Sequence, residues 1–346
     1  MNDTHAATIS LIERQFLQLV PASRFQFALP SSATSAEIKY DAVCDLEVQQ
    51  EVYSRVLEPA EGRGIAPAYI VAIVKAMVAV IENAGEEVDG DVFMLMINLL
   101  RHPTPPVPPP GPVTYKFLDT SITITETRNL ISGYGTTGFR TWEASLALGE
   151  YIISQHLLPS TSPDRALDLS SKRVLELGAG TGFASILCAK LGSRLAVATD
   201  GFEEVVLRMR GILESNQVEE LVETRVYKWG NSSGIETGSV LEKESREEEY
   251  VYNEPVDLIL GADITFDAEG CNLLVSSFDQ LERQNPSVQI LISATIRNEE
   301  TIAAFETYLA EKNFAFTVIP ANPHPKWFFY DAVPEIRIYS LYRATK

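Results

Sequence analysis

The stretch that most restricts this chain is KRVLELGAGTGFAS, residues 172–185. A short apolar run carries Glu176, three glycines follow at Gly178, Gly180 and Gly182, and a helix-compatible segment comes next. Glycine is favoured where the backbone is left-handed and where a ligand must approach with no Cβ in the way. The pattern predicts a strand, a tight turn and a helix, the unit that holds the adenosine end of a cofactor. A dinucleotide site wants a third glycine at the sixth position. Counted from Gly178 that position is Phe183, and from Gly180 it is Ser185. Asp200 ends the next apolar run, SRLAVATDGF, about 20 residues on, where an acid can accept from both ribose hydroxyls. Turn and acid together fit more than one adenosine cofactor.

The rest of the chain repeats this unit. Strands are predicted near 173–177, 194–199, 222–228, 256–262, 288–293, 314–319 and 335–342, and helices near 141–156, 182–191, 203–215, 269–282 and 298–312. Such alternation implies an α/β fold with a mainly parallel sheet covered on both faces. The last two strands are joined by PANPHPKWFFYDAVPE, which lacks a helical pattern, so they are expected to pair antiparallel. Residues 231–254, acidic and polar, read as a flexible insertion.

Ahead of this lies different material. Residues 5–20, 66–83 and 88–100 carry helical apolar spacing, with Pro67 suited to a first turn. The run HPTPPVPPPGP cannot be helix or central strand and reads as an extended connector. The expected division is a small α-helical N-terminal domain over 1–101, a Pro-rich linker over 102–113 and an α/β domain over 114–346. Within the last, Ile122 and Ile124 alternate with threonines in a strand pattern.

Composition narrows the function classes. With 28 basic and 47 acidic residues, the net charge of −19 disfavours direct binding of nucleic acid, though it suits a lysine-rich protein target. Cys44, Cys188 and Cys271 form no C-x-x-C pair, and the four histidines are scattered, so no metal site is expected and a reducing, cytoplasmic setting fits. MNDTHAATIS has no basic region leading into an apolar core, and AYIVAIVKAMVAVI is too short to cross a bilayer. No membrane association is expected.

Three further stretches carry a resemblance. VLELGAGTG resembles the first motif of the class I, Rossmann-like, seven-β-strand methyltransferases. GTTGFRTWEASLALGEYI (135–152) resembles a helix preceding that motif in the lysine methyltransferase branch, and VYKWGN places Trp229 just past the third strand. Together with the strand-four ending VDLILGADITFD and SATIRNEETIAAF, they resemble the protein-lysine methyltransferases that modify translation elongation factor 2. The resemblance implies a seven-stranded, mostly parallel sheet with an antiparallel last strand, and S-adenosylmethionine as methyl donor. It implies donor contacts from Trp142, Glu176, Gly178, Ala179, Gly180, Asp200, Trp229 and Ala262, with Glu176 facing the donor's end of the pocket and Trp229 stacked by the adenine.

The same resemblance places Asp263 and Phe266 in the catalytic set. The family motif is Asp-x-x-Tyr, whereas this chain reads Asp263-Ile264-Thr265-Phe266. Phe266 therefore walls an apolar lysine channel, or Thr265 supplies the missing hydroxyl. Asp263 is expected to orient the amine; its other reading is a cap for the next helix. Each tryptophan can alternatively fill the core. The resemblance puts Arg297 on the loop after the fifth strand, near the substrate entrance, where it is expected to pair with Glu299 or Glu300 at the surface; its other reading is a direct catalytic role. The implied function is a protein-lysine methyltransferase acting on elongation factor 2. Its alternatives are a methyltransferase for another protein or a small molecule, and a catalytically silent donor-binding module.

Overall fold

The computed structural model describes residues 3–29, 41–101, 111–126, 137–159, 161–162, 167–230, 255–322, 326–331 and 333–344. Most of the Pro-rich linker and the whole acidic insertion at 231–254 lie outside them. The chain divides into two compact units, Met1–Thr127 and Arg128–Lys346.

The first unit contains the helices α1 (Asp3–Leu17), α2 (Leu46–Val52), α3 (Pro67–Asn83) and α4 (Gly90–Leu100), and α2 runs on into a π-helical turn, Tyr53–Leu57. Ile9, Ile12, Phe16, Val48, Val52, Ile70, Ile73 and Met77 are buried in it. Pro67 occupies the first turn of α3, as its missing N–H suggests. Gln49, fully buried, donates to the Glu87 carbonyl at 3.0 Å and accepts from the Asp89 N–H at 2.8 Å, tying α2 to the start of α4. The histidines are less isolated than their spacing suggests. His5 lies 3.9 Å from both Asp45 and Glu47, and Asp45 already caps α2 through the Glu47 N–H.

This unit is not wholly helical. The strands β1 (Gly111–Phe117) and β2 (Thr120–Glu126) form an antiparallel hairpin pairing Val113 with Ile124 and Tyr115 with Ile122. These four side chains are buried, while Thr114 and Thr123 bond at 2.9 Å on the opposite face. Two boundaries differ from the sequence reading. Gly111–Val113, assigned to the linker, open β1, and residues 114–126, assigned to the α/β domain, cluster with the N-terminal unit. Proline is tolerated at such a place because, among the described residues, one edge of β1 has no ladder partner.

The second unit is the seven-stranded sheet, built from β3 (Arg173–Leu177), β4 (Leu195–Asp200), β5 (Val222–Val226), β6 (Leu258–Ala262), β7 (Gln289–Thr295), β8 (Phe314–Pro320) and β9 (Ile336–Arg343). Their order is β5-β4-β3-β6-β7-β9-β8. The first five in that order are parallel; β9 runs antiparallel to both β7 and β8. Helices α5 (Glu143–Leu157), α6 (Phe183–Lys190), α7 (Glu203–Asn216), α8 (Ala268–Gln284) and α9 (Glu299–Glu311) pack around it. Leu274, Val275 and Phe278 of α8 and Ile302 and Phe305 of α9 bury Ile259, Ile290 and Ile292 on one face. Ala144 and Ala147 of α5 meet Ala262 and Ile336 on the other. Among the described residues no helix is long and apolar enough to cross a membrane.

The order of the strands locates the functional crevice. From β3 the chain moves outward through β4 to β5, whereas from β6 it moves the other way to β7. The carboxyl ends of β3 and β6 therefore flank the switch point, where ligands enter open parallel sheets.

One buried carboxylate braces this unit over a long sequence separation. Glu150 of α5 accepts the backbone N–H of Lys326 at 3.1 Å and of Phe328 at 2.7 Å, with Trp327 donating as well. Replacing Glu150 with Ala leaves those donors unanswered. We expect it to lower the unfolding free energy by at least about 2 kcal/mol in urea titrations, with Glu150→Gln losing less because it keeps an acceptor.

Candidate active site

The turn after β3 explains its glycines. Gly178, Gly180 and Gly182 have φ of 62°, 53° and 75°, all in the left-handed region. A Cβ on Gly178 would stand 2.6 Å from the Ile264 side chain and 3.3 Å from the Trp229 ring; one on Gly180 would stand 3.4 Å from Gly138. Ala179 donates its N–H to the Thr199 carbonyl at 2.8 Å, pinning the turn to the end of β4.

Asp200 holds the turn from the other side. One carboxylate oxygen accepts the Gly180 N–H and the other the Phe202 N–H, each at 3.1 Å. Burial raises its pKa and these N–H bonds oppose the rise. With the Gly201 N–H as a third donor, the carboxylate keeps one lone pair for a ligand.

The segment before α5 closes the same turn. Thr141 and Thr181 share a buried hydroxyl bond at 2.9 Å, and Gly138 abuts Gly180. Trp142 sits at the N-terminus of α5, its Nε1 donating to the Thr137 carbonyl at 3.0 Å. The guanidinium carbons of Arg140 and Arg297 lie 4.6 and 5.3 Å from its ring centre. Across the crevice, half-buried Trp229 has its ring centre 6.0 Å from that of Phe266.

Asp263 directly follows β6 and is left-handed without being glycine, with φ of 54°. Its N–H bonds the Ser293 carbonyl at 2.8 Å. One carboxylate oxygen accepts the Thr295 N–H at 3.0 Å, and the other accepts from Arg297 at 2.9 Å. It does not cap the following helix; Asp267 does that, accepting the Gly270 N–H at 2.7 Å. The turn after β6 thus holds a left-handed carboxylate with one partner on each oxygen.

Three expectations change here. Arg297 pairs with Asp263 and not with Glu299 or Glu300, because the turn after β7 brings it back over the end of β6. Phe266 is 66% exposed, so it stands at the mouth of the crevice and does not wall an enclosed channel. Glu176 is only 2% exposed and turns its carboxylate onto α6, accepting the Ser185 N–H at 2.8 Å and hydroxyl at 2.6 Å, where a carboxylate complements the helix dipole. It supports the turn from beneath. The remaining positions named from sequence, Trp142, Gly178, Ala179, Gly180, Asp200, Trp229, Ala262 and Asp263, lie on the segments that line the carboxyl ends of β3, β4, β5 and β6. Sequence reasoning missed Thr141, Thr181 and Ile264, whose roles are contacts between segments far apart in the chain.

Left-handed glycines, a buried acid with a spare lone pair, an indole beside the turn and a second acid across the crevice suit an adenosine joined to a cationic group. The sequence comparison defines the class. A family model described as lysine methyltransferase matches residues 122–311, and the chain belongs to that family. It is an S-adenosylmethionine-dependent protein-lysine methyltransferase.

Individual relatives agree. The chain is 33% identical over 324 residues to protein-lysine N-methyltransferase EFM3 of Chaetomium thermophilum, covering 86% of this chain and 90% of that one. It is 29% identical to EFM3 of Saccharomyces cerevisiae, over 85% of this chain and 83% of that one. With EEF2KMT of Homo sapiens it shares 25% identity, over 64% of each chain. The residues present fit the donor. The Asp200 carboxylate beside the turn can accept from a ribose hydroxyl, and half-buried Trp229 offers an aromatic face to an adenine.

Burial raises the Glu176 pKa from 4.5 to about 7, with the Ser185 bonds opposing. The folded chain thus keeps a proton that the unfolded chain gives up near pH 4.5. This contribution to stability is full below that value and falls as pH rises toward 7. Glu176→Gln has no such slope. In urea titrations the variant should gain roughly 2–3 kcal/mol on the wild type between about pH 5 and 8; parallel curves would refute the assignment.

Proposed function

We propose that this enzyme methylates a lysine of translation elongation factor 2 in the cytoplasm, with Asp263 orienting the acceptor amine. The target follows the resemblance of GTTGFRTWEA, Trp229 and TIRNEE to the enzymes that modify that factor, and agrees with the name of the human relative, EEF2KMT. An acidic chain of net charge −19 also suits a basic protein surface. The single observation carrying the catalytic role is Asp263 itself: a left-handed, nearly buried carboxylate just past β6, next in sequence to the Ile264 that packs on Gly178.

S-adenosylmethionine supplies the methyl group on a positively charged sulfur. In this reading Asp200 would accept from the ribose, Trp229 would offer its face to the adenine, and the Gly178–Gly180 backbone and Ala262 would border the rest of the donor. Trp142 closes that side of the crevice, while Phe266 offers an apolar surface to the lysine stem at its mouth. Lysine, with an ordinary pKa near 10.4, must lose its proton to act; at pH 7 this takes about 4–5 kcal/mol. Part is offset by desolvation of the ammonium as the side chain enters the crevice. The rest comes from alignment of the lone pair with the sulfur–methyl bond.

Asp263→Ala should lower methylation of purified elongation factor 2 by at least about 100-fold while calorimetric affinity for S-adenosylhomocysteine stays within a few-fold. Asp200→Ala should do the reverse to binding, weakening that affinity by about tenfold or more through the lost ribose bonds. Label from the donor appearing in a lysate on a protein other than elongation factor 2 would replace the target while leaving the site reading intact.

A further inference from the structure

We propose that Arg297 is a positioning residue for the acceptor lysine: its guanidinium stays on Asp263 through the reaction and cancels that carboxylate's charge, so that the amine is oriented without being held as an ammonium. The inference rests on the reading of Asp263 as the amine-orienting group. It resolves a conflict in that reading. A bare carboxylate beside a lysine raises the lysine's pKa and opposes the deprotonation that methyl transfer requires.

The geometry supplies the remedy. Arg297 donates to one Asp263 oxygen at 2.9 Å while the Thr295 N–H occupies the other at 3.0 Å, leaving a lone pair on each for an incoming N–H. The Asp263 side chain is 6% exposed and that of Arg297 is 49%, so the guanidinium stands between the buried acid and solvent. Arg297 is fixed on three sides: by the ion pair, by the Trp142 ring, and by its own N–H on the Thr295 carbonyl at 2.9 Å. The next residue back, Ile296, donates to the Glu335 carbonyl at 2.8 Å. A guanidinium does not lose its proton in proteins, so the cancellation persists at every working pH.

Other charged groups around the pair are already matched or turned elsewhere. On the α5 side Arg140 pairs with Glu143, and on the β9 side Glu335 pairs with Arg337. Asp267 caps α8, and Glu299 and Glu300 lie in the first turn of α9, where the N–H of Glu300 is taken by Asn298. The Tyr330 hydroxyl is pushed further from ionisation by burial. Thr295 also carries a buried hydroxyl with no hydrogen-bond partner among the described residues, an uncharged acceptor on the residue that holds Asp263.

The step balances without further reactants. The lysine ammonium first releases a proton to solvent. The nitrogen lone pair then forms the N–CH₃ bond as the S–CH₃ bond breaks, its electron pair staying on sulfur as a thioether. The methylammonium product releases a proton to solvent, while Asp263 and Arg297 leave the cycle unchanged.

The test is the pH dependence of methyl transfer from labelled S-adenosylmethionine into elongation factor 2, or into whichever lysate protein the wild type labels, for wild type, Arg297→Gln, Arg297→Lys and Asp263→Ala. Arg297→Gln should move the rising limb up by about one pH unit, so that the rate near pH 7.5 falls about tenfold and returns to within about twofold of wild type near pH 10. Arg297→Lys should follow the wild-type limb. Calorimetric binding of S-adenosylhomocysteine should be the same in all four proteins. A uniform loss at every pH in Arg297→Gln, a faster rate near neutrality, or an Arg297→Lys limb displaced like that of Gln would each overturn the proposal. Wild-type turnover in Asp263→Ala would instead overturn the reading of Asp263 on which it rests.

Discussion

The left-handed turn after β3 is the constraint on which the site depends. Three residues with positive φ reverse the chain so tightly that the end of β4 can reach it through the Ala179–Thr199 bond and the Asp200 carboxylate. The same missing Cβ atoms let Ile264 and Gly138 approach from two other directions. Segments after β3, β4 and β6 and ahead of α5 thereby share one crevice. A side chain at Gly178 would meet both the backbone strain and the Ile264 methyl group, so the turn admits almost no other residue.

Electrostatics then divide the acids by depth. Glu176, deepest, is neutralised in part by desolvation and spends its oxygens on α6. Asp200, less deep, holds the turn and keeps a lone pair for a ligand. Asp263, at the far lip, is balanced by a cation from the next loop. Three carboxylates at the ends of neighbouring strands thus have three different surroundings, and their expected chemistry differs accordingly.

Much of this was legible from local pattern. The seven strands, the five helices around them and the antiparallel ending were readable because apolar periodicity and glycine punctuation act over a few residues. Asp200 was readable because its spacing from the turn is set by one βα unit. The Arg297 partner was not, since Asp263 lies 34 positions away and nearer glutamates looked equally suitable. Nor was the direction of Glu176, because alternation along a buried strand does not say which helix receives a side chain. Helix α2, with Val48 and Val52 buried, went unread, and the proline at 112 concealed the start of β1.

By itself the sequence determined that the chain builds a parallel sheet around a glycine turn and that an acid stands at the end of each of two strands. Those features are written in adjacent residues and in short, fixed spacings. Only the tertiary structure decided which charges meet: Arg297 on Asp263, Glu176 on Ser185, the Thr141 hydroxyl on Thr181. The first and last join segments whose distance in space is set by how strands and loops pack, the second depends on which way a strand side chain turns, and a charge or hydroxyl carries no mark in the chain of the partner that packing will bring to it.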